Sequence, residues 1–298
     1  MGAVSGILNI DKPKGMTSHD VVNQVRRLAH ERRVGHAGTL DPMATGVLIV
    51  CLGKATRLVE YLADSDKSYL ATIVFGVTTD TWDAEGKVLT RSDGQNLKLD
   101  DIENILPSFL GRIEQIPPMY SALKHKGQPL YRLARHGLEV ERAPRRVEIY
   151  ALQIVRWQAP ELVLRVDCSK GTYIRTLAHD LGQAARVGAH LSALKRLAVG
   201  RFRIEEAVSL DELLRQAADG AWQKHLLPAE AAVGHMPVAI LEAEAVNHVR
   251  HGQAVELSLA GDAGAQCAAY DQNKQLLAIL TYDAASGLWR PHKVLAAP

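Results

Sequence analysis

A lone carboxylate on a glycine-flanked loop is the first group in this chain whose setting suits chemistry. Asp41 lies in the loop Gly35–Leu48, is followed by Pro42, and precedes an apolar run, Val47–Leu52, that is typical of a buried strand. An Asp-Pro pair favours an extended or turn backbone at the aspartate. A carboxylate held this way beside a rigid element could attack or stabilise a centre of positive charge. The alternative is that Asp41 only forms an Asx turn, and the loop alone leaves both open.

A second set of polar side chains follows an alternating strand much later in the chain. The apolar residues of the predicted strand Leu162–Cys168 fall on one face, and the segment Ser169–Arg175 then leads into a helix. This strand–turn–helix junction places Tyr173 and Arg175 at the mouth of the predicted sheet. Its glycine-containing turn does not match the Walker pattern, which excludes a nucleotide-binding P-loop of that kind.

Two lysines, Lys12 and Lys14, lie in the turn that follows the predicted strand Gly6–Ile10. They either keep the turn soluble or contact phosphate groups. Thr17 or Ser18 can cap the helix that begins next. The segment Lys67–Phe75, rich in apolar and β-branched residues, is predicted to be a further strand.

The charge of the chain is unevenly distributed along the sequence. Residues 12–57 carry eight Lys/Arg against three Asp/Glu, residues 112–146 again carry eight against three, and residues 235–298 carry four against six. Two basic segments on an otherwise balanced chain indicate either a polyanionic partner or two solvated faces. In residues 112–146 the cations alternate with tyrosines after Pro117-Pro118, which favours an RNA-gripping arm over an ordinary loop and helix.

Composition excludes several classes of protein. Apolar content of 47% and charged content of 23% are those of an ordinary globular chain, and no apolar run is long enough to span a membrane. The N-terminus lacks a secretion signal, and three scattered cysteines suit a reducing, cytoplasmic environment. The histidines show no metal-ligand spacing, so we expect no metal site.

The chain is long enough for two domains. A segment rich in Ala, Pro and Gly, 227–237, favours a boundary, which divides the chain into residues 1–233 and 234–298. The second part is predicted to form a short helix over Ala243–Arg250 and strands over 238–241, 266–270, 275–282 and 288–295.

Four motifs occur in an order and at intervals that are together highly specific. They are Asp11–Ser18, Gly35–Leu48, Lys67–Tyr69 and Ser169–Arg175. The chain closely resembles the bacterial tRNA pseudouridine synthase B (TruB-type) family, which modifies uridine 55 in the TΨC loop of tRNA. The resemblance covers essentially the whole chain, and it is weaker over the last sixty or so residues, which look like a PUA-type RNA-binding module.

The resemblance implies a role for each matching residue. Asp41 corresponds to the catalytic aspartate, Arg175 to the arginine that pairs with it, and Tyr69 to the tyrosine that stacks on the target base. The remaining substrate-site matches are His36, which supports the rearranged RNA loop, Tyr173 and Leu194 in the pocket, and Lys12 and Pro13, which brace the catalytic loop. Candidates for contact with the RNA backbone are Lys124, Arg132, Arg145, Arg146, Lys195 and Arg196. At Lys195-Arg196 the family pattern would have two arginines, and lysine lacks their bidentate geometry.

The implied fold is the α/β (α+β) pseudouridine-synthase fold, a long mixed and mainly antiparallel sheet flanked by helices, with a small mostly-β module after it. The implied reaction detaches uracil at N1, turns it, and rejoins it to the sugar through C5. Because this isomerisation exchanges no electrons and adds no atoms, we expect no cofactor and no metal. Tyr173 or Tyr69 could assist proton removal from C5. We expect a cytoplasmic monomer that acts on the tRNA TΨC stem-loop without a membrane.

Two other functions remain open. The chain could be an RNA-binding protein or RNA chaperone of the same fold with an idle pocket, or a related pseudouridine synthase with a different RNA target. The predicted contact between Asp41 and Arg175 bears on the first of these, because an active pocket needs that pair within salt-bridge reach.

Overall fold

A computed structural model describes residues 4–121, 123–125, 127–135 and 137–295. Within the arm predicted over residues 112–146, Lys126 lies outside the described residues, as do the side chains of Lys124 and Tyr131. In the described part of the chain, no helix is long and apolar enough to cross a membrane.

The strands, in chain order, are β1 Gly6–Lys12, β2 Val34–Ala37, β3 Thr45–Leu52, β4 Lys67–Phe75, β5 Val77–Thr79, β6 Val88–Arg91, β7 Gly111–Gln115, β8 Lys124–His125, β9 Gln128–Pro129, β10 Arg145–Gln158, β11 Glu161–Cys168, β12 Ala189–Val199, β13 Phe202–Arg203, β14 Val208–Ser209, β15 Val238–Ile240, β16 Gln266–Tyr270, β17 Leu276–Asp283 and β18 Leu288–Val294. The α-helices are α1 Ser18–Ala29, α2 Val59–Ala63, α3 Leu99–Ile105, α4 Leu130–Arg135, α5 Ile174–Ala184, α6 Leu210–Arg215 and α7 Ala243–Arg250.

One ten-stranded sheet organises the first three quarters of the chain. Its strand order is β14-β1-β3-β12-β4-β11-β10-β7, with β2 paired to β3 and β13 paired to β12. The pairs β1–β14 and β3–β12 are parallel, whereas its other pairs are antiparallel. The expected mixed, mainly antiparallel sheet is therefore confirmed. The parallel β3–β12 contact brings Thr45 and Gly46, at the end of the Asp41 loop, next to Lys195 and Arg196.

Both faces of this sheet are covered. Val21 and Val25 of α1 and Leu177 and Leu181 of α5 pack into the core on one face. The apolar residues of these helices recur at helical spacing, which gives each helix one apolar face. Helix α1 begins with a capping box in which Thr17 is the N-cap and Asp20 its partner. Helix α5 therefore lies directly behind the strands that carry the pocket.

The second sheet, β15-β16-β17-β18, covers part of the opposite face. Ala268 and Ile279 from this sheet share a buried cluster with Ile49 of β3 and Leu58 and Leu62 beside it. Burial of apolar surface at about 25 cal/mol per Å² makes such a shared cluster a strong attachment. The predicted strands and helix of this part match β15–β18 and α7 within one or two residues.

The predicted arm differs from the structure at its two ends. Residues 111–115 and 145–149 pair as antiparallel strands, β7 and β10, at the edge of the large sheet. Exposed cross-strand ion pairs accompany this pairing, with Arg112 Nε 3.9 Å from Glu148 and Arg146 Nε 3.5 Å from Glu114. The many basic residues of this segment favoured an arm over a strand pair in the sequence, because the exposed side chains of an edge strand are also polar.

Candidate active site

The Asp41 loop is shaped by glycines and by its neighbours. Gly46 has φ +96°, and a Cβ at this position would lie 2.2 Å from the carbonyl oxygen of Arg196, so only glycine fits. The N–H of Ala44 donates to the Asp41 carbonyl at 3.0 Å, which closes the turn across Pro42. The N–H of Gly15 donates to the Pro42 carbonyl at 2.8 Å and joins this turn to the end of β1.

Lys12 holds the same turn from below. Its side chain is fully buried, and its Nζ donates to the carbonyls of Met16, Pro13 and Pro42 at 2.5, 2.9 and 3.4 Å. Burial of this ammonium disfavours the alternative in which Lys12 contacts a phosphate group. Its contacts fit the bracing of the loop. Lys14 remains exposed in the turn.

Arg196 closes the opposite side of the loop. Its Nε donates to the Val47 carbonyl at 2.7 Å and its Nη2 to the Gly38 carbonyl at 3.1 Å, so one guanidinium joins the two ends of the loop. Arg196 is only 1% exposed. This burial disfavours a contact with the RNA backbone, and its planar donor fork orders carbonyls inside the protein.

Asp41 and Arg175 meet, as expected from the sequence. The Nε of Arg175 is 3.1 Å from Oδ2 of Asp41, and its Nη2 donates to Oδ1 at 3.3 Å, which makes the pair bidentate. Arg175 lies in the first turn of α5 and is 6% exposed, whereas the Asp41 side chain keeps 34% of its surface open toward a cavity. The guanidinium is thus the buried support and the carboxylate the accessible group.

Asp83 is a partner of Arg175 that the sequence interpretation missed. Its Oδ2 is 3.3 Å from Nη1 of Arg175, and its side chain is 5% exposed. Arg175 also donates to the carbonyls of Tyr120 at 2.7 Å and Thr81 at 3.4 Å. One guanidinium therefore links the Asp41 loop, the turn at 81–83 and the start of the arm.

The electrostatic environment of Asp41 has two opposing parts. Burial raises the pKa of its carboxyl, the Arg175 guanidinium and the Lys12 ammonium oppose that rise, and Asp83 adds to it. The two cations favour the ionised carboxylate against the effect of burial, and the ionised carboxylate is the form that can attack a carbon centre or stabilise a positive charge.

The cavity in front of Asp41 measures about 340 Å³, within the range of about 300–1,000 Å³ that is usual for ligand sites. Tyr69 from β4, Leu194 from β12 and Tyr173 before α5 contribute to its wall, as the sequence predicted. The other lining residues are Gly38, Thr39, Leu40, Asp41, Ala63, Lys67, Ser121, Leu123, Gly171, Thr172, Ile174, Arg175 and Arg196. Apolar and aromatic side chains beside a few charged groups suit a flat polar heterocycle.

The two phenols of the cavity are not ionised near neutral pH. Burial raises the pKa of Tyr69 and that of Tyr173 above the usual value for tyrosine. Removal of a proton from C5 by a phenolate is therefore disfavoured, and both rings serve better as neutral surfaces and hydrogen-bonding groups.

The other predicted site residues in the described part of the chain do not line the cavity. His36, on β2, is half-buried and is not part of the lining; burial lowers its pKa, so its imidazole is neutral. Arg132 is exposed on α4, Arg145 and Arg146 are exposed at the start of β10, and Lys195 is half-buried on β12. Within the described residues, no group of three or more His, Cys, Asp or Glu is placed to hold a metal ion.

Replacing Lys12 with methionine tests its role in the loop. Methionine has a similar length but cannot donate to the Pro42 carbonyl, so we expect turnover to fall about tenfold to a hundredfold through misplacement of Asp41. RNA affinity should be unchanged, because the side chain is buried. Single-turnover rates and filter binding measure the two effects separately.

The pH dependence of the same variant supplies a control. Burial lowers the pKa of Lys12 to about 8, so wild-type turnover should decline above that pH while the slower Lys12→Met variant stays flat. Between pH 8 and the unfolded value of 10.5 the unfolded chain binds the extra proton, so this group makes the fold more stable as pH rises. Deprotonation of Lys12 therefore does not lower turnover by unfolding the protein. If turnover of Lys12→Met declined above pH 8 as wild type does, the role of Lys12 in bracing the loop would be contradicted.

Family models match the chain over most of its length. A model described as TruB family pseudouridylate synthase (N terminal domain) matches residues 26–174. A second, described as tRNA pseudouridylate synthase B C-terminal domain, matches residues 175–234. The second match contains nearly all of α5, with Arg175, and the strands β12–β14 of the large sheet. Strand β12 carries Leu194 and Arg196.

Individual relatives agree with this assignment. A tRNA pseudouridine synthase B of Dehalococcoides mccartyi is 44% identical over 295 residues, covering 99% of this chain and 98% of its own. That of Symbiobacterium thermophilum is 51% identical over 254 residues, covering 84% and 83%. A solved structure of an H/ACA RNP bound to a substrate RNA containing 2'-deoxyuridine superposes with a TM-score of 0.76 at 27% identity, covering 98% of this chain and 85% of the other. The chain belongs to the TruB family of pseudouridylate synthases, which are isomerases that convert uridine in RNA to pseudouridine.

Proposed function

We propose that this protein isomerises uridine 55 in the TΨC loop of tRNA to pseudouridine, with Asp41 as the catalytic carboxylate. The observation that carries the proposal is the bidentate Asp41–Arg175 pair at the wall of a cavity that also contains Tyr69. The curated relatives that share this chain's full length are named as tRNA pseudouridine synthases. An idle pocket would not require a buried guanidinium held by two carboxylates.

The reaction breaks the N1–C1′ bond, forms a C5–C1′ bond, moves the C5 proton to solvent and protonates N1. Positive charge develops on the sugar as the first bond breaks, and a carboxylate beside it either attacks C1′ or stabilises the charge, as in glycosidases. Attack at C6 of the base and elimination to a glycal use the same aspartate. In each route Arg175 keeps the carboxylate ionised and fixes its direction.

The target base must leave the RNA stack before it can reach Asp41. Flipping a base costs a few kcal/mol, and stacking on an aromatic ring returns about 1–3 kcal/mol. Tyr69 is 8% exposed on β4 and presents its ring to the cavity. We assign it the role of a neutral stacking surface for the flipped uracil.

Two substitutions at Tyr69 separate its ring from its hydroxyl. Tyr69→Phe keeps the ring and should hold single-turnover activity within about threefold of wild type, whereas Tyr69→Leu should lose about tenfold to a hundredfold. Release of tritium from 5-³H-uridine in a TΨC stem-loop measures both. Equal activities of the two variants would remove the stacking role.

Basic side chains around the cavity suit the phosphates of the same RNA. Arg132, Arg145 and Arg146 are exposed on the arm side, and contacts of this kind weaken steeply with salt. We propose that residues 1–233 form the catalytic domain and that residues 234–298 form a PUA-like RNA-binding module. Its attachment through the shared apolar cluster supports a fixed position beside the catalytic sheet.

The proposed site is built by one chain, which supports a monomer as the active unit. The three cysteines, Cys51, Cys168 and Cys267, are free and buried, which supports a cytoplasmic location.

The direct test is release of tritium from 5-³H-uridine in an unmodified tRNA transcript. We expect one equivalent of tritium per tRNA. A transcript with cytidine at position 55 is the matched control and should release none. Equal tritium release from both transcripts would mean that the modified uridine is not at position 55. Tight RNA binding without tritium release would favour an RNA-binding protein or chaperone.

A further inference from the structure

Ser121 has a hydroxyl that the protein leaves without a hydrogen bond. The residue is 5% exposed and lines the cavity in front of Asp41. Among the residues that the structure describes, none hydrogen-bonds its Oγ. A buried hydroxyl without a partner costs folding free energy, because it loses its water and gains nothing in exchange.

The position of this hydroxyl is set by the catalytic arginine. The carbonyl of Tyr120, the preceding residue, accepts a 2.7 Å hydrogen bond from Nη2 of Arg175. The same nitrogen contacts Asp41. Ser121 is therefore held in a fixed relation to the carboxylate, although it lies on a different segment of the chain.

Tyr173 contributes a second hydroxyl to the same part of the cavity. Its backbone N–H donates to Oε1 of Gln115 at 2.9 Å, which ties it to the end of β7. Its phenol is close enough to Ser121 for that hydroxyl to influence its pKa, although burial dominates the shift. The Ser121 Oγ has no partner that meets hydrogen-bond geometry among the described residues, so this hydroxyl can bind a polar atom placed in the cavity.

We propose that Ser121 is a substrate-binding residue whose hydroxyl hydrogen-bonds a polar atom of the flipped uridine. The inference rests on the proposed function, since it needs a nucleoside in this cavity. Uridine offers donors and acceptors on its base and ribose, and a serine hydroxyl can serve either kind. The nucleoside then provides the hydrogen-bond partner that the Ser121 hydroxyl lacks in the folded protein.

The test compares binding with and without a nucleoside at the target position. Asp41→Asn prevents turnover and is the background for Ser121→Ala and for Ser68→Ala. The two ligands are a TΨC stem-loop with uridine at the target and the same RNA with a propanediol spacer there, which lacks both base and ribose. We expect Ser121→Ala to weaken binding of the uridine RNA about fivefold and to leave binding of the spacer RNA unchanged.

Ser68 is the matched control. It is 4% exposed and its hydroxyl also lacks a partner among the described residues, but it lines a separate cavity of about 700 Å³. Ser68→Ala should leave binding of both RNAs unchanged. Equal losses on the two RNAs with Ser121→Ala, or no loss on either, would overturn the proposal.

Thermal unfolding gives an independent readout. Because its hydroxyl makes no hydrogen bond, Ser121→Ala should not lower the melting temperature. Ser18 is 2% exposed and its Oγ accepts from the Leu40 N–H at 2.8 Å, so Ser18→Ala should lower it. A lower melting temperature for Ser121→Ala would mean a protein partner and would overturn the inference. Failure of wild-type protein to form pseudouridine would instead overturn the proposed function.

Discussion

Asp41→Asn should reduce pseudouridine formation by at least about a thousandfold. Asparagine has nearly the same shape and can still accept a hydrogen bond from Arg175. It carries no negative charge, however, so it can neither attack the sugar nor stabilise positive charge on it. RNA affinity should change little, because the Asp41 carboxylate stabilises the transition state more than the bound RNA, and the basic surface is intact.

Tritium release under single-turnover conditions measures this loss, and filter binding at the same salt concentration provides its control. The acid side of the wild-type rate profile is a further check. Burial raises the pKa of Asp41 above its usual value, so the ionised form and the activity should be lost at a higher pH than for an exposed aspartate. Substantial tritium release by Asp41→Asn would refute the catalytic assignment.

The second large effect is expected at Asp83, which never touches the cavity. Asp83→Asn removes one of the two carboxylates that neutralise the buried Arg175 guanidinium, and breaking a buried pair of this kind costs about 3–5 kcal/mol. Arg175 can then shift, and a displacement of about 1 Å at Asp41 is enough to reduce turnover about a hundredfold. Urea unfolding and single-turnover rates measure the two losses.

Asp180 on α5 provides a control with the same chemical change. It is half-buried, and burial alone raises its pKa to about 6. Because the pKa is raised in the folded state, stability falls as the pH rises from 3.8 to about 6, and the full loss is present at higher pH. Asp180→Asn should therefore leave stability at pH 7.5 unchanged or higher and keep turnover near wild type. If Asp83→Asn behaves like Asp180→Asn, the Asp41–Arg175 pair does not depend on Asp83.

Local sequence patterns predicted most of the elements, and the family resemblance assigned the reactive groups to them. The Asp-Pro loop, the strand that carries Tyr69 and the strand–turn–helix junction before Arg175 each have a short-range signal, and all three meet at one cavity. The C-terminal strands were predicted for the same reason, since alternating apolar residues report directly on a half-buried strand. The order of strands in the large sheet had no such local signal and was not predicted; the family resemblance implied only a long, mixed and mainly antiparallel sheet.

The residues whose contacts differ from the sequence interpretation share a physical cause. Charge is visible in a sequence but burial is not, so Lys12 and Arg196 resembled phosphate contacts although each holds backbone carbonyls inside the protein. Asp83 was missed because it lies in a polar turn 92 residues before Arg175, and nothing near it signals that contact. A long-range pair of this kind becomes apparent only when the fold brings β12, α5 and the turn at 81–83 together.

Mapping pseudouridine in RNA treated with the protein tests the central claim most directly. Unmodified tRNA and rRNA transcripts would be incubated separately with wild-type protein and with Asp41→Asn, then treated with carbodiimide and reverse transcribed. The account predicts one new stop, at uridine 55 of tRNA, that is present with wild type and absent with the variant. Pseudouridine at other positions only, in rRNA instead of tRNA, or with Asp41→Asn as well, would contradict it.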